Sequence, residues 1–278
     1  MAQALATFAH PSHSLAAFLQ FELFRVYNNN KAATAAAYFF YSEVSMKRIA
    51  LFFCFIFSFA AHANNIIVNG TRFIYPGNEK EITVQLSNTA DRPALAQAWL
   101  DNGNADATPD TITTPFIITP PISRVDAKSG QTLRIKLGSN AGLAKDKETL
   151  WWLNLLEIPP VEASQKNEGQ NILQLAIRSR FKFIYRPAGL GNRDAAAEKL
   201  ALSANGSSLS VSNPTPFYIT VSRISRNGGK ALNSKTVMFA PQSSQTIALS
   251  SAVSKGETLT VNNINDYGAD VAVKVTVK

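Results

Sequence analysis

Two pairs of closely spaced acids are the residues of this 278-residue chain that could most directly support catalysis. Asp106 and Asp110 form one pair, and Asp146 and Glu148 form the other. Two carboxylates on either side of a glycosidic bond can act as acid and base in its hydrolysis. Both pairs lie in polar, loop-like stretches, where solvated surface acids are expected. A hydrolase that uses carboxylates alone is therefore an alternative that the spacing does not favour.

Histidine and cysteine are confined to the first 63 residues. Cys54 is the only cysteine, and the three histidines are His10, His13 and His62. The chain beyond residue 63 therefore lacks Cys or His nucleophiles and bases, and it lacks the usual zinc ligands. We expect no enzymatic activity, no metal and no cofactor. Without a cysteine, this part of the chain has no disulfide and must be stabilised by its hydrophobic core alone.

Residues 46–63 have the three parts of a secretory signal peptide. Met46-Lys47-Arg48 is basic, 49–59 is apolar, and Ala61-His62-Ala63 is a small-x-small cleavage site. The apolar part is shorter than the roughly twenty residues that a membrane helix needs. We expect cleavage after Ala63 and no membrane insertion of the product. Residues 1–45 are then an over-extended start that is not part of the product.

The distribution of the cations in the remaining chain argues against nucleic acid as a partner. Residues 64–278 carry 23 Lys and Arg against 17 Asp and Glu, a net charge of +6, since 4 cations and 2 acids of the whole chain precede residue 64. These cations form no dense block and no motif with aromatic residues. The length fits two domains.

The pattern downstream of the signal is that of β-strands separated by turn residues. Predicted strands cover 66–75, 80–87, 94–100, 132–137, 150–157 and 172–185, followed by 209–212, 217–224, 236–239, 245–249, 257–261 and 269–277. Only 194–202 has an Ala-rich, helix-like composition. Strands at this spacing favour β-sandwiches. The Pro- and Gly-containing segment 186–192 predicts a boundary between a domain over 64–186 and a domain over 187–278.

The predicted strand 172–185 is the most informative segment. One parity is apolar, with Leu173, Leu175, Ile177, Phe181 and Phe183, and the other is polar, with Gln174, Arg178, Arg180 and Lys182. Strands usually run five or six residues, so this one is unusually long. A long strand with an apolar stripe and nearby cations suits an edge that pairs with another chain.

Ordered motifs over nearly all of 64–278 resemble the periplasmic pilus (fimbrial) assembly chaperones. They are 71–76 (TRFIYP), 95–99 (LAQAW), 119–124 (TPPISR), 153–160 (LNLLEIPP), 174–187 (QLAIRSRFKFIYRP), 213–220 (NPTPFYIT) and 264–268 (INDYG). The resemblance implies an all-β protein of two immunoglobulin-like β-sandwich domains with a cleft between them. It implies a periplasmic location. The loop 161–171, which has no Cys, resembles that of the short-loop subclass.

The resemblance also implies a mechanism, donor-strand complementation. The chaperone lends a strand to a pilus subunit that lacks one, shields the open core of that subunit, and delivers it to the outer-membrane usher. The donor-strand residues that fill the subunit groove would be Leu173, Leu175 and Ile177. Because this stripe would otherwise be an exposed edge, a self-capping homodimer is also predicted.

Two charged sets follow from the same resemblance. Arg72 and Lys182 would anchor the C-terminal carboxylate of the subunit in the cleft. A salt-bridge network between the domains would contain Glu148, Arg186 and Asp266. Since the parity of Lys182 is opposite to that of the apolar stripe, Lys182 either reaches the cleft from the other face or follows a bulge.

The rival to a chaperone is a secreted two-domain adhesin or carbohydrate-binding protein. Trp99, Trp151 and Trp152 could form a platform on which sugar rings stack, although at least two of them are expected in sandwich cores. An adhesin of this kind would need an exposed aromatic patch and would not need Arg72 and Lys182.

Overall fold

A computed structural model describes residues 66–139, 142–160 and 175–278, and these belong to one compact unit. The predicted signal peptide, residues 1–45, the loop 161–171 and Leu173 lie outside the described residues. No helix within the described ranges has the length and apolarity needed to cross a membrane.

The described ranges contain sixteen strands and one 3₁₀ helix. The strands are β1 (Ile66–Val68), β2 (Arg72–Pro76), β3 (Glu81–Asn88), β4 (Ala94–Asp101), β5 (Phe116–Thr119), β6 (Ile122–Val125), β7 (Gly130–Leu137), β8 (Thr149–Ile158), β9 (Ile177–Arg186), β10 (Ala201–Asn205), β11 (Ser208–Asn213), β12 (Ile219–Arg226), β13 (Val237–Phe239), β14 (Ser243–Ala248), β15 (Thr258–Ile264) and β16 (Asp270–Thr276). The 3₁₀ helix is Asp194–Lys199.

The first sandwich consists of a four-stranded sheet, in the order β1-β3-β7-β5, and a five-stranded sheet, in the order β2-β9-β8-β4-β6. The pairing of β2 with β9 is parallel, and the other pairings in these sheets are antiparallel. Alternate residues of each strand point into one core, whose wholly buried side chains include Tyr75, Leu86, Leu133, Ile135, Leu153 and Phe183.

The prediction of a single strand over 66–75 is wrong. The chain switches sheets, because β1 pairs with β3 in one sheet and β2 pairs with β9 in the other. The switch is made at the turn around Gly70, whose φ of 143° is rarely adopted by residues with a side chain.

The second sandwich consists of the sheets β10-β11-β14 and β13-β12-β15-β16. Its core is separate from the first and includes the buried residues Leu202, Leu209, Ile219, Ile224, Phe239 and Leu259. The helix-like segment predicted over 194–202 ends early, because Leu202 belongs to β10, pairs with Val211 and is wholly buried.

These two sandwiches confirm the predicted all-β fold class. β9 ends at Arg186 and the 3₁₀ helix begins at Asp194, with Gly189 and Gly191 at positive φ between them. The residue at which one domain gives way to the next stays a prediction.

Candidate functional site

Arg72 and Lys182 lie side by side on the outward face of the five-stranded sheet. They are register partners in the parallel pair β2–β9, and the next partners, Phe73 and Phe183, point into the core. The pairing of β8 with β9 is continuous from Tyr185 to Ile177, without a bulge in this described stretch. Lys182 therefore differs in parity from the apolar stripe because it uses the opposite face of the same strand.

Both cations reach across to the second sandwich. The Lys182 ammonium donates a hydrogen bond to Thr220 Oγ1 over 2.7 Å, and Arg72 Nη1 donates to the Ile264 carbonyl oxygen over 3.4 Å. Neither takes part in an ion pair with a carboxylate among the described residues. Arg72 Nε is buried and has no hydrogen-bond partner in the described part of the chain. The two side chains thus form a cationic pocket with unused donors.

The electrostatics of this pocket favour an incoming anion. Burial, with a smaller contribution from the neighbouring Arg72, lowers the pKa of Lys182 to about 8. Burial lowers the pKa of Arg72 as well, and the nearby Arg193 lowers it further. Two desolvated, mutually repelling cations are stabilised by a carboxylate that contacts both.

β9 has a free backbone edge next to this pocket. On one side, β8 pairs with the whole of β9, from Tyr185 to Ile177. On the other side, β2 begins only at Arg72, opposite Lys182, so within the described residues no strand accompanies 177–181 on that edge. An extended segment of another chain could pair there, in line with β2.

The apolar stripe of β9 continues beyond the core of its own sandwich. Phe183 is wholly buried, and Phe181 packs against the same core. Further along, Ile177 is 37% exposed and Leu175 is 65% exposed. Of the predicted groove-filling residues, Ile177 and Leu175 are thus exposed aliphatic side chains at a free edge, and Leu173 lies outside the described residues.

The expectation of a long strand over 172–185 needs correction. Within the described residues the strand begins at Ile177, and Leu175 and Ala176 have no strand pairing. The physical reason is the lack of a partner strand, since the pairing of β8 with β9 ends at Glu157 opposite Ile177.

The structure brings Glu148, Arg186 and Asp266 together. Arg186 Nε lies 2.6 Å from Glu148 Oε1, and Arg186 Nη1 and Nη2 lie 2.7 and 2.9 Å from the two Asp266 oxygens. Glu148 also contacts the second sandwich, because its Oε2 accepts a hydrogen bond of 2.6 Å from the Tyr218 N–H and its own N–H donates to the Pro216 carbonyl oxygen over 2.9 Å.

Burial governs the charges of this network. The Glu148 side chain is 1% exposed and that of Arg186 is 19% exposed. Burial raises the pKa of Glu148, and Arg186 opposes this shift without cancelling it. Burial would lower the pKa of Arg186, but its bonds to Asp266 and Glu148 raise the pKa above its ordinary value. The expectation that Glu148 is a solvated surface acid is wrong, because the residue is enclosed between Arg186 and the backbone of 216–218.

The described residues offer neither the exposed aromatic patch that a sugar-binding protein needs nor a cluster of metal ligands. Trp99 and Trp151 are each only 8% exposed, and Trp152 is half-buried beneath Arg180, whose guanidinium carbon lies 4.5 Å from a Trp152 ring centre. No group of three His, Cys, Asp or Glu side chains in the described ranges could hold a metal ion.

Several neighbours of the site were not found from the sequence. Thr220 and the Ile264 carbonyl close the far wall of the cationic pocket, and the buried Arg193 donates to that same carbonyl over 3.2 Å. Wholly buried Asp101 pairs with Arg180. Asp101 ends a strand of small and apolar residues, and this position is the one signal that could have drawn attention to it.

The class of protein is defined by two sandwiches that meet at a cationic pocket, next to a strand that has a partly free edge and an exposed apolar stripe. Residues 65–191 match the family described as pili and flagellar-assembly chaperone, PapD N-terminal domain. Residues 195–274 match the pili assembly chaperone PapD, C-terminal domain. The chain belongs to this family of pilus assembly chaperones, which confirms the resemblance found in its motifs. The family is one of chaperones and not of known enzymes.

Individual relatives agree with this assignment. The chain is 43% identical over 224 residues to the chaperone protein HifB of Haemophilus influenzae, which covers 80% of this chain and 91% of HifB. It is 39% identical over 226 residues to the probable fimbrial chaperone YadV of Escherichia coli, covering 78% and 92% of the two chains.

Solved structures show the same fold. The CupB2 chaperone of Pseudomonas aeruginosa matches with a TM-score of 0.65 at 34% identity, covering 76% of this chain and all of that one. The YadV chaperone structure matches with a TM-score of 0.64 at 36% identity, covering 77% of this chain and all of that one.

Proposed function

We propose that this protein is a periplasmic chaperone that captures pilus subunits by lending them β9 as a missing strand. The observation that carries the proposal is the junction at Lys182. There, a strand edge with an exposed apolar stripe ends at two cations that have no carboxylate partner within the described ranges. The predicted signal peptide supports export to the periplasm.

The register of β2 supports one orientation for the incoming strand. A strand that pairs with the free edge at 177–181 lies in line with β2 and ends where β2 begins, at Arg72. If it ran antiparallel to β9, its amino-terminal side would face Arg72 and Lys182, and a terminal amine there would be repelled. A strand parallel to β9 instead presents its C-terminal carboxylate to both cations, which favours this orientation.

The apolar stripe supplies the affinity and the cations supply the alignment. Leu173, Leu175 and Ile177 could contribute roughly 5–9 kcal/mol before entropic losses, at about 1.5–3 kcal/mol for each buried side chain. A fixed carboxylate prevents a slip of one residue, which would turn every side chain of the pairing to the opposite face.

The network of Glu148, Arg186 and Asp266 is proposed to hold the two sandwiches at a fixed angle. Its members bond to each other and to the backbone of 216–218 across the junction. This angle keeps Thr220 and the Ile264 carbonyl opposite Lys182 and Arg72, so the network acts on the pocket through its geometry and not by contact with the subunit.

Delivery to the outer-membrane usher requires a surface that stays free while β9 is occupied. Leu95 and Ile122 lie on adjacent strands at the far edge of the five-stranded sheet and are 39% and 52% exposed. We propose this edge for the usher contact.

In the free protein, we propose that a second copy covers the stripe at Leu175 and Ile177 as a self-capping homodimer.

Co-purification from the periplasm tests subunit capture. The chaperone is expressed with candidate pilus subunits, and the recovered complex is compared for the wild type, Arg72→Gln and Lys182→Gln. Losing one partner of a desolvated charge contact removes about 3–5 kcal/mol, so we expect little subunit with either variant.

Lys136→Gln is the matched control, because this exposed lysine lies on β7 in the other sheet. It should recover subunit like the wild type. Variants at Arg72 and Lys182 that melt normally and still recover subunit at the wild-type yield would refute the proposed anchor.

A further inference from the structure

The outward face of β9 carries three cations in a row, Arg178, Arg180 and Lys182. A pairing slipped by two residues, about 6.6 Å, keeps every side chain on its proper face, so alternation alone does not exclude it. In such a slip, a carboxylate meant for Lys182 would meet Arg180. Something other than the apolar stripe must therefore prevent this error. The inference rests on the proposed carboxylate anchor at Arg72 and Lys182.

Arg180 differs from Lys182 in being paired with a buried carboxylate. Its Nε donates to Asp101 Oδ2 over 2.9 Å, its Nη2 donates to Asp101 Oδ1, and its guanidinium stacks on Trp152. Asp101 lies two strands away on β4, so the Arg180 side chain reaches across β8 to meet it.

Asp101 is held as an ionised, rigid partner. Its side chain is wholly buried and also accepts hydrogen bonds from Asn154 Nδ2 and the Gly103 N–H, both over 2.7 Å. Burial alone would raise the pKa of Asp101, but these bonds and Arg180 lower it below its ordinary value. In the cross-strand register, Trp152 lies between Asp101 and Lys182. Asp101 therefore pairs with Arg180 and not with Lys182, whose charge it does not neutralise.

The third cation is a weak competitor. Arg178 is exposed, donates to the Ala105 carbonyl oxygen, and lies with its guanidinium carbon 5.4 Å from the Trp99 ring centre. An exposed ion pair there is screened by water and contributes little. Arg180 is half-buried and lies two residues from Lys182 along β9. It is therefore the site at which a misplaced carboxylate would bind.

We propose that Asp101 is a specificity-determining residue that sets the register of the bound subunit strand. By neutralising Arg180, it leaves the pair of Arg72 and Lys182 as the one desolvated site on the described face of β9 that can accept a strand carboxylate. A carboxylate at Arg180 would have to compete with a buried acid that accepts two hydrogen bonds from Arg180 and is also held by Asn154 and the Gly103 N–H. The two-residue slip is thereby excluded.

Disulfide trapping reads the register directly. Residues 64–278 contain no cysteine, so Ser179→Cys introduces a single thiol in the middle of the free edge of β9. The probe is a synthetic peptide with the C-terminal strand sequence of a pilus subunit that the wild-type chaperone captures, made with a free carboxylate and with cysteine at each position in turn. In the wild-type background, we expect trapping at one peptide position. With Asp101→Asn, we expect a second position, two residues away.

A double variant separates register from stability. Asp101→Asn retains the oxygen that accepts from the Gly103 N–H but removes the negative charge that neutralises Arg180. Asp101→Asn with Arg180→Gln removes the competing cation as well. The double variant should return to one trapped position even if both proteins melt lower than the wild type. An unchanged single position in folded Asp101→Asn would overturn the proposal, as would two positions that persist in the double variant.

The anchor itself is tested separately in the same assay. Amidating the peptide C-terminus, or changing Lys182 to Gln, should abolish the single preferred position in the wild-type background. If neither change alters trapping, the carboxylate anchor is wrong, whatever Asp101 does.

Discussion

Replacing Arg186 by Met probes the junction between the two sandwiches with little loss of packing. Methionine keeps an aliphatic stem beside Phe217, whose ring centre lies 5.4 Å from the Arg186 guanidinium carbon. It removes the donors to Glu148 and Asp266. Glu148 then retains only the Tyr218 N–H as a hydrogen-bond donor among its described contacts, in a site where its side chain is 1% exposed.

The expected loss of stability follows from that burial. Removing one partner of a buried ion pair destabilises a protein by about 3–5 kcal/mol. Because Arg186 and Asp266 remain partly exposed, we expect about 3 kcal/mol. For a folded unit of this size, about 1 kcal/mol shifts Tm by about 2–4 °C, so Tm should fall by roughly 6–12 °C.

The deficit should depend on pH with a defined sign. Burial already raises the pKa of folded Glu148, and losing Arg186 raises it further. A carboxyl whose pKa is higher in the folded state favours folding at low pH, and this contribution is lost as the pH rises through its folded pKa. The Tm difference between the wild type and Arg186→Met should therefore be smallest near the ordinary pKa of glutamate and grow toward neutral pH.

Calorimetry at several pH values, together with solution scattering, tests this reasoning. Scattering from Arg186→Met should indicate a broader distribution of domain orientations. The control is Glu148→Gln combined with Arg186→Met, since removing both charges should abolish most of the pH dependence. A Tm deficit that is the same at every pH would refute the role of Glu148, and unchanged melting and scattering would refute the network.

Three further predictions concern the pocket and the strand edge. Above pH 8, affinity for a subunit peptide should fall by up to tenfold per pH unit as Lys182 loses its proton, and Lys182→Arg should remove this dependence in a titration series. Leu175→Glu should weaken both subunit capture and any dimer seen by sedimentation, because it forces a charge into both apolar contacts, whereas Ile117→Glu, at an exposed site on β5, should do neither. Gly268→Ala should lower Tm, because Gly268 has φ +86° and an added Cβ would lie 2.5 Å from Thr71 Oγ1 across the junction; a normal Tm would contradict that close approach.

The parts of the fold that follow from local pattern could be predicted from the sequence. The alternation around Phe181 and Phe183 predicts the inward face of β9, and the motifs predict two sandwiches. The sheet switch at Gly70 could not be predicted, because β1 and β2 both consist of apolar and polar residues that suit a single strand. What separates them is the choice of partner, β3 for one and β9 for the other, and this choice depends on distant parts of the chain.

The charged contacts show the same limit. Arg186 and Asp266 are 80 residues apart in the chain, and Arg180 and Asp101 are 79 apart. No periodicity relates such positions. The resemblance to pilus chaperones suggested the first pair. For the second pair, the position of Asp101 at the end of a largely apolar strand is the one local signal, and nothing in the sequence indicated that Arg180 is its partner.

The parity of Lys182 connects the sequence pattern to the mechanism. A strand that donates side chains to another core must have a free edge and apolar residues beyond its own core, as β9 has at Ile177 and, just before the strand, at Leu175. A strand that also aligns its partner needs a fixed charge whose side chain does not point into the apolar groove of the subunit. Placing Lys182 on the opposite face satisfies both demands, because the second sandwich covers that face and desolvates the charge. Under the proposed function, the opposite parity of Lys182 therefore lets one strand bind the subunit core with one face and fix the register of the subunit strand with the other.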